Sequence, residues 1–478
     1  MNFKSLLMTA ASVTVLASYS LPAAADQIIN QWSPDLELEP SNTLEAISEM
    51  GNASLTNVSQ RIDQADYNEI EANLTSGLYS YDQDIGDDSY QAGENALNAQ
   101  AGFVGDSVIS GSQVFINGFN SVEIDSVAGD SRLEVTQQGW DTSYSSLESV
   151  PEIDVDQTVD NDADSSALVG NASVDVRQIG SNTRNTISIA SGSTTGYFFT
   201  AQPFIESEQD IDNRAEAVTV VGNAAVGSMQ EGFNEANIIN TVGATFNAVA
   251  IEQWTVDDPV QNVENKLKAE SENIGNAEAT VDQVGINRAN RASLGDVTNQ
   301  SLVQYTTETD QDGKNTATAA GGDLSGGNAS IILNAANASE GYAGGGQVAS
   351  NTLNKAAFGS AETMYLEQRA DDEWGGVEQT AFNYLGAYGG EPDGNASIIA
   401  GEGAKGQIAF NSLNTVVGDI GTVGAGEIQQ SFEQSTEDQI QSATNRANAF
   451  AENGNALIDG LSQSAGGVIN SIKLPSDN

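Results

Sequence analysis

The sequence predicts an all-β fold, a β-solenoid of stacked strand-arc-strand repeats in a parallel cross-β stack. Three observations carry that prediction: one polar motif recurs at fixed spacing, apolar residues around it alternate with a period of two, and Gly, Asn, Ser and Thr pervade the repeat. Those residues each weaken a helix interior, and a spacing of two cannot line one face of a helix, whose period is about 3.6.

Residues 1–25 read as a signal peptide. Lys4 precedes an apolar run from Leu6 to Leu21, and Pro22-Ala23-Ala24-Ala25 before Asp26 fits a small-residue cleavage site. The run carries several Ser and Thr and falls short of the roughly 20 apolar residues that cross a bilayer. The mature chain is therefore expected to begin at Asp26 and to be secreted. Residues 26–50, with Trp32, Pro34 and Pro40, depart from the repeat. They read as a leader recognised during export or as an N-terminal cap.

Residues 51–470 form the repeat region. The motif is Gln, three residues, Asn, two residues, Asn, and its copies are Gln113-Asn117-Asn120, Gln178-Asn182-Asn185, Gln230-Asn234-Asn237, Gln283-Asn287-Asn290, Gln347-Asn351-Asn354, Gln407-Asn411-Asn414 and Gln441-Asn445-Asn448. Ser59-Asp63-Asp66 keeps the spacing as a degenerate further copy. Gly-Asn-Ala precedes the motif at Gly170, Gly222 and Gly275, and farther upstream at Gly327 and Gly394. Ahead of the motif, Ala172, Val174, Val176 and Gln178 share one phase and Ser173, Asp175 and Arg177 the other, the signature of a strand with one buried face. Beyond it the second Asn takes the inward phase, as in Asn185, Ile187 and Ile189. The stretch between, such as Ile179-Gly180-Ser181-Asn182, reads as a tight arc with Gly and Asn at positions of positive φ.

A plainer unit follows six of the seven copies, an apolar residue two before a Gln: Val135-Gln137, Ile251-Gln253, Leu302-Gln304, Leu366-Gln368, Ile428-Gln430 and Leu461-Gln463. A 52-residue repeat therefore reads as two rungs, which predicts about 15 to 18 rungs and a stack of roughly 70 to 90 Å. Stacking also gives the amides a purpose. The same side chain in each layer can donate to one neighbour and accept from the other, whereas a buried amide without partners costs about 1 to 3 kcal/mol. The Gln and the second Asn, in phase with Val and Ile, are expected in such ladders; the first Asn suits a solvated turn. Residues 471–478 read as a C-terminal tail with neither a membrane-barrel strand nor a sorting motif, so attachment to a surface would be indirect.

On these residues the chain resembles the curlin family, with Gln178-Ile179-Gly180-Ser181-Asn182 and Gln283-Val284-Gly285-Ile286-Asn287 similar to its Gln-x-Gly signature. It is similar also to the holdfast-anchor proteins of stalked bacteria. The resemblance implies a Gram-negative source, export through a dedicated outer-membrane pore, and assembly outside the cell into functional amyloid. Its implied partners are further copies of the chain and outer-membrane export or anchoring proteins, with surface polysaccharide as another candidate.

Composition narrows the function further. Zero Cys removes disulfides and thiolate chemistry, and zero His removes the commonest general base and transition-metal ligand. No catalytic residue, cofactor site or metal site is predicted, and the chain reads as a non-enzyme. A net charge of -51 excludes nucleic acid as a natural partner. Asp160, Asp162 and Asp164 resemble the opening of a calcium loop, but Ser165 stands where its Gly belongs and Asn171 where its Glu belongs. The glycines at Gly321-Gly322 and Gly344-Gly345-Gly346 lack the ending of a phosphate loop. Asn52, Asn171, Asn328 and Asn395 match glycosylation acceptors in form but coincide with the repeat. Trp32, Trp140, Trp254 and Trp374 read as core or end-cap residues rather than sugar platforms.

The leading expectation is an extracellular structural or adhesive protein that polymerises through its end rungs. Two alternatives stand beside it, a secreted β-helical polysaccharide-acting enzyme and a solenoid that binds ions or ligands without polymerising.

Overall fold

The computed structural model describes residues 27–33, 37–85, 89–137, 155–333, 345–370, 376–419 and 430–473. The signal-peptide reading, Trp140 and Trp374 lie outside them, as does the side chain of Trp32. The described chain is all strand and turn, wound as a β-solenoid in which every strand pairing is parallel.

One 52-residue repeat is one coil, not two. Ala172–Ile189, Gly192–Ile205 and Glu208–Val221 make a first, second and third arm, and Ala224–Thr241, Ala244–Val256 and Val260–Ile274 stack on them as the next layer. The register is direct: Gln178 pairs Gln230, Gln202 pairs Gln253, and Gln209 pairs Gln261. The plain glutamine unit is thus the second arm of the same coil, and the described arms make eight turns rather than fifteen or more. At the β spacing that is a stack of roughly 40 Å. First and second arms share one sheet and third arms form another.

The alternation in the first arm has the phase that its sequence indicates, but it serves two cores. Ala172, Val174 and Val176 pack on Ala163, Ala215 and Ala217 of the third arms, while Ile187 and Ile189 pack on Phe198 and Val249 of the second arms. Between them the phase flips, because Arg184 and Asn185 are consecutive and both buried. Asn185 makes the flip in the left-handed region at φ 53°, and Asn120, Asn237, Asn290, Asn354 and Asn414 do the same at φ 50° to 54°. Asn tolerates that conformation better than most residues, since its short amide can bond locally.

The arc therefore sits at the second Asn, not at the Gly and first Asn. Gly180 is part of the strand and faces inward, where a Cβ would stand 2.6 Å from Ile211 Cγ2 and 2.9 Å from Val159 Cγ1. Its smallness makes room for a large neighbour. One layer below, the sizes exchange: Phe115 takes the position of Gly180, and Gly93 of the third arm lies against its ring. The corner before a first arm is the Gly-Asn-Ala unit, with Gly105-Asp106-Ser107 in its place ahead of Ser107–Gly129. Gly222, at φ 147°, would put a Cβ 1.8 Å from the Gly170 carbonyl oxygen, so no side chain fits there. The Asn beside it joins an exposed surface ladder, with Asn223 Nδ2 donating to Asn171 Oδ1 at 3.2 Å.

Candidate functional site: amide ladders and the ends of the stack

The first arms carry three amide columns. Gln60, Gln113, Gln178, Gln230, Gln283, Gln347, Gln407 and Gln463 form one, each Nε2 donating to the Oε1 of the layer before at 2.5 to 3.1 Å. The same nitrogens also donate to third-arm carbonyls, Gln178 to Asn161 O and Gln230 to Asn213 O, both at 2.7 Å. The ladder thereby ties the two sheets together. The first asparagines, Asn117, Asn182, Asn234, Asn287, Asn351 and Asn411, form the second column at 2.9 to 3.0 Å, and all six are buried. The solvated-turn expectation for them fails, because Asn182 faces the third arm and donates to its Gln157 and Asp210 carbonyls. The left-handed asparagines from Asn68 through Asn120, Asn185, Asn237, Asn290, Asn354 and Asn414 to Asn470 form the third.

Gln441 and Asn445 stand elsewhere. Their strand, Ile440–Phe450, pairs Gln441 with Gln379 and Asn445 with Asn383 in the third arms, and Asn448 falls beside Gly386 outside any asparagine column. The last first-arm copy is instead Gln463, Gly467 and Asn470. At the other end the degenerate copy is Gln60, Gln64 and Asn68, displaced from Ser59, Asp63 and Asp66 by bulges at Thr56/Val58 and Gln64/Tyr67. There the column is faulty: Gln64 Oε1 and Asn117 Oδ1 both lack a hydrogen-bond partner.

Sequence reasoning missed a whole set of columns in the third arms. Gln91, Gln157, Gln209, Gln261, Gln311, Gln379 and Gln441 form one, and Asn42, Asn95, Asn161, Asn213, Asn265, Asn315, Asn383 and Asn445 another. The signal was Gln, three residues, Asn, without the second Asn that marks the first arm. In the second arms the column is Gln31, Gln83, Gln137, Gln202, Gln253, Gln304, Gln368 and Gln434. Gln434 takes the place assigned to Gln430, and Gln463 belongs to the first arm.

Asp160, Asp162 and Asp164 lie at alternate positions on the outward face of the third-arm strand Val155–Val169, extended rather than curled as an ion loop requires. Burial first, and neighbouring carboxylates second, push Asp160 up to about 6 and Asp162 up to about 7. One and two layers on, the face is ion-paired, with Lys268 to Glu216 at 2.6 Å and Lys314 to Glu264 at 2.7 Å. Burial raises these two glutamates, but the hydrogen bonds from Lys and Arg outweigh it and hold them below the usual range. Near the N-terminal end, Glu69, Glu71 and Glu123 bring carboxylate oxygens within 4.8 Å of one another. Trp254 is a core residue, packed on Tyr305 with ring centroids 5.3 Å apart.

Among the described residues, no strand covers either end of the stack. The first-arm strands Ala53–Leu74 and Gln463–Lys473 pair on one side only, and so do the second-arm strands Gln27–Ser33 and Gln430–Thr436. Ile28 and Ile47 are exposed at one end and Ile440, Phe450 and Ile472 at the other. In comparisons with known proteins, no family model, no curated protein and no solved structure matches this chain.

Proposed function

We propose that this protein is an extracellular structural or adhesive subunit, curlin-like in build, that self-assembles through the open ends of its β stack into fibres or a surface anchor. The observation that supports this best is that the amide columns run through to terminal strands that have a strand neighbour on one side only among the described residues. An unprotected strand edge is a template for another chain, and soluble β proteins usually cover or charge it. Secretion, export through the outer membrane and attachment by partner proteins belong to the same reading.

The test is thioflavin fluorescence and electron microscopy of the purified secreted protein. Fibres with a cross-β repeat of about 4.8 Å are expected. Their growth is expected to be slow at low salt and faster when sodium or calcium screens the -51 charge. A chain that stays monomeric and thioflavin-negative at every ionic strength overturns the reading.

A further inference from the structure

We propose that the two ends are parts of one coil, so that the last arm of one copy and the first two arms of the next complete a layer in a head-to-tail joint. This rests on the self-assembly reading above and specifies its interface. Among the described residues the stack opens with a second arm, Gln27–Ser33, and a third, Glu37–Leu38 with Ser41–Ser48; it closes with a first arm, Ala456–Asp459 with Gln463–Lys473. What each end lacks, the other supplies. An end cut at any other arm would leave a doubled or missing strand at the joint.

The registers then follow without adjustment. Carrying each column one layer onward puts Gln31 of the next copy on Gln434, Gln60 on Gln463 and Asn42 on Asn445. Two columns end at the joint: the third-arm glutamines, with Leu38 falling on Gln441, and the first asparagines, with Gln64 falling on Gly467. Polarity agrees as well. Every glutamine column donates toward the N-terminal end and every buried asparagine column toward the C-terminal end, so head-to-tail joining sets donor on acceptor. Joining like ends would oppose donor to donor.

Two outward columns supply independent support. Ile47 and Phe450, exposed by 63% and 56%, are the two ends of one column and meet in the joint. Lys473 lies in the column that begins at Glu71, so it arrives one layer below the clustered carboxylates of Glu69, Glu71 and Glu123. A cation meets an acidic cluster at that end.

The chain has no cysteine, which makes the joint directly testable. Ser431 of one copy falls on Ile28 of the next, at a strand spacing of about 4.8 Å that a disulfide can span. Oxidation of assembled I28C/S431C protein is expected to give a ladder of covalent multimers. The N30C/S431C control, offset by two residues and roughly 8 Å apart, is expected to give none. K473E is expected to weaken association by about two- to fivefold, restored by adding E71K. Assembly without cross-linking, equal cross-linking of both pairs, or dimers from either single cysteine alone would overturn this joint while leaving self-assembly standing. Sedimentation showing no association by the parent protein would overturn self-assembly itself, and the joint with it.

Discussion

Gln178 and Asn182, four residues apart on one strand, donate in opposite directions along the stack: Gln178 Nε2 to Gln113 Oε1 at 2.9 Å, and Asn182 Nδ2 to Asn234 Oδ1 at 3.0 Å. At this layer each amide finds both a donor and an acceptor within its own column, and the two amide dipoles oppose rather than add. Their carbonyl contacts across to the third arm make them cross-ties as well as ladders.

Removing amides from within a column should therefore be costly. Replacing Gln230 and Gln283 by Ala leaves Gln178 Oε1 without its donor and Gln347 Nε2 without its acceptor. About 1 to 3 kcal/mol is expected for each unmet group, read as a lower melting temperature. Glu278→Ser, on the exposed face of the same strand, should melt like the parent.

The Gly180 site is a test of packing alone. Gly180→Ala places a methyl against Ile211 and Val159, and overpacking of this kind costs about 1 to 3 kcal/mol. Adding Ile211→Ala should recover part of that loss. Independent, additive losses in the double mutant would show that the two residues do not share the space.

At Asn237 the backbone and the amide make separable contributions. Asn237→Gly keeps the left-handed φ of 54° available and loses only the amide's bonds, those donated to Asn290 Oδ1 and Trp254 O and the one accepted from Asn185 Nδ2. Asn237→Ala loses the same bonds and adds roughly 1 to 2 kcal/mol of backbone strain. Thermal melts should rank parent above Gly above Ala.

Stability should rise as solutions become mildly acidic. Burial pushes Asp160 and Asp210 up to about 6, and Asp162 and Asp282 up to about 7. A carboxyl with a raised folded pKa binds more protons folded than unfolded, so the fold gains stability as pH falls from about 8 toward 5. Glu216 and Glu264 have the opposite sign, and the stability they contribute is lost below about pH 4. Melting temperature against pH should pass through a maximum on the acid side of neutrality. Asp162→Asn should raise the melting temperature at pH 8 and flatten the slope.

Periodicity was legible wherever burial and sequence repeat coincide. The inward phase of Ala172, Val174, Val176, Ile187 and Ile189 can be read directly from their order. The path of the chain between those positions cannot. Asn185 and Asn182 are the same residue type three apart, and only contact with the third arm makes one a corner and the other a buried strand residue. Coil length was misread for a related reason, since Gln178, Gln202 and Gln209 all look like inward amides and nothing local says that they belong to three arms of one turn. The register at Ser59 failed where two bulges shift the pairing.

The direct register between layers also shapes how the chain must fold. Residues that meet along the stack lie 52 positions apart at Gln178 and Gln230 and 68 apart at Gln311 and Gln379. Nearly every stabilising pairing therefore closes a long loop, and such topologies fold slowly because chain entropy is lost before contacts form. A finished layer removes that obstacle for the next by presenting a row of backbone and amide partners already in place. The first layer to form is the slow event, and a completed end becomes the surface on which later coils are copied.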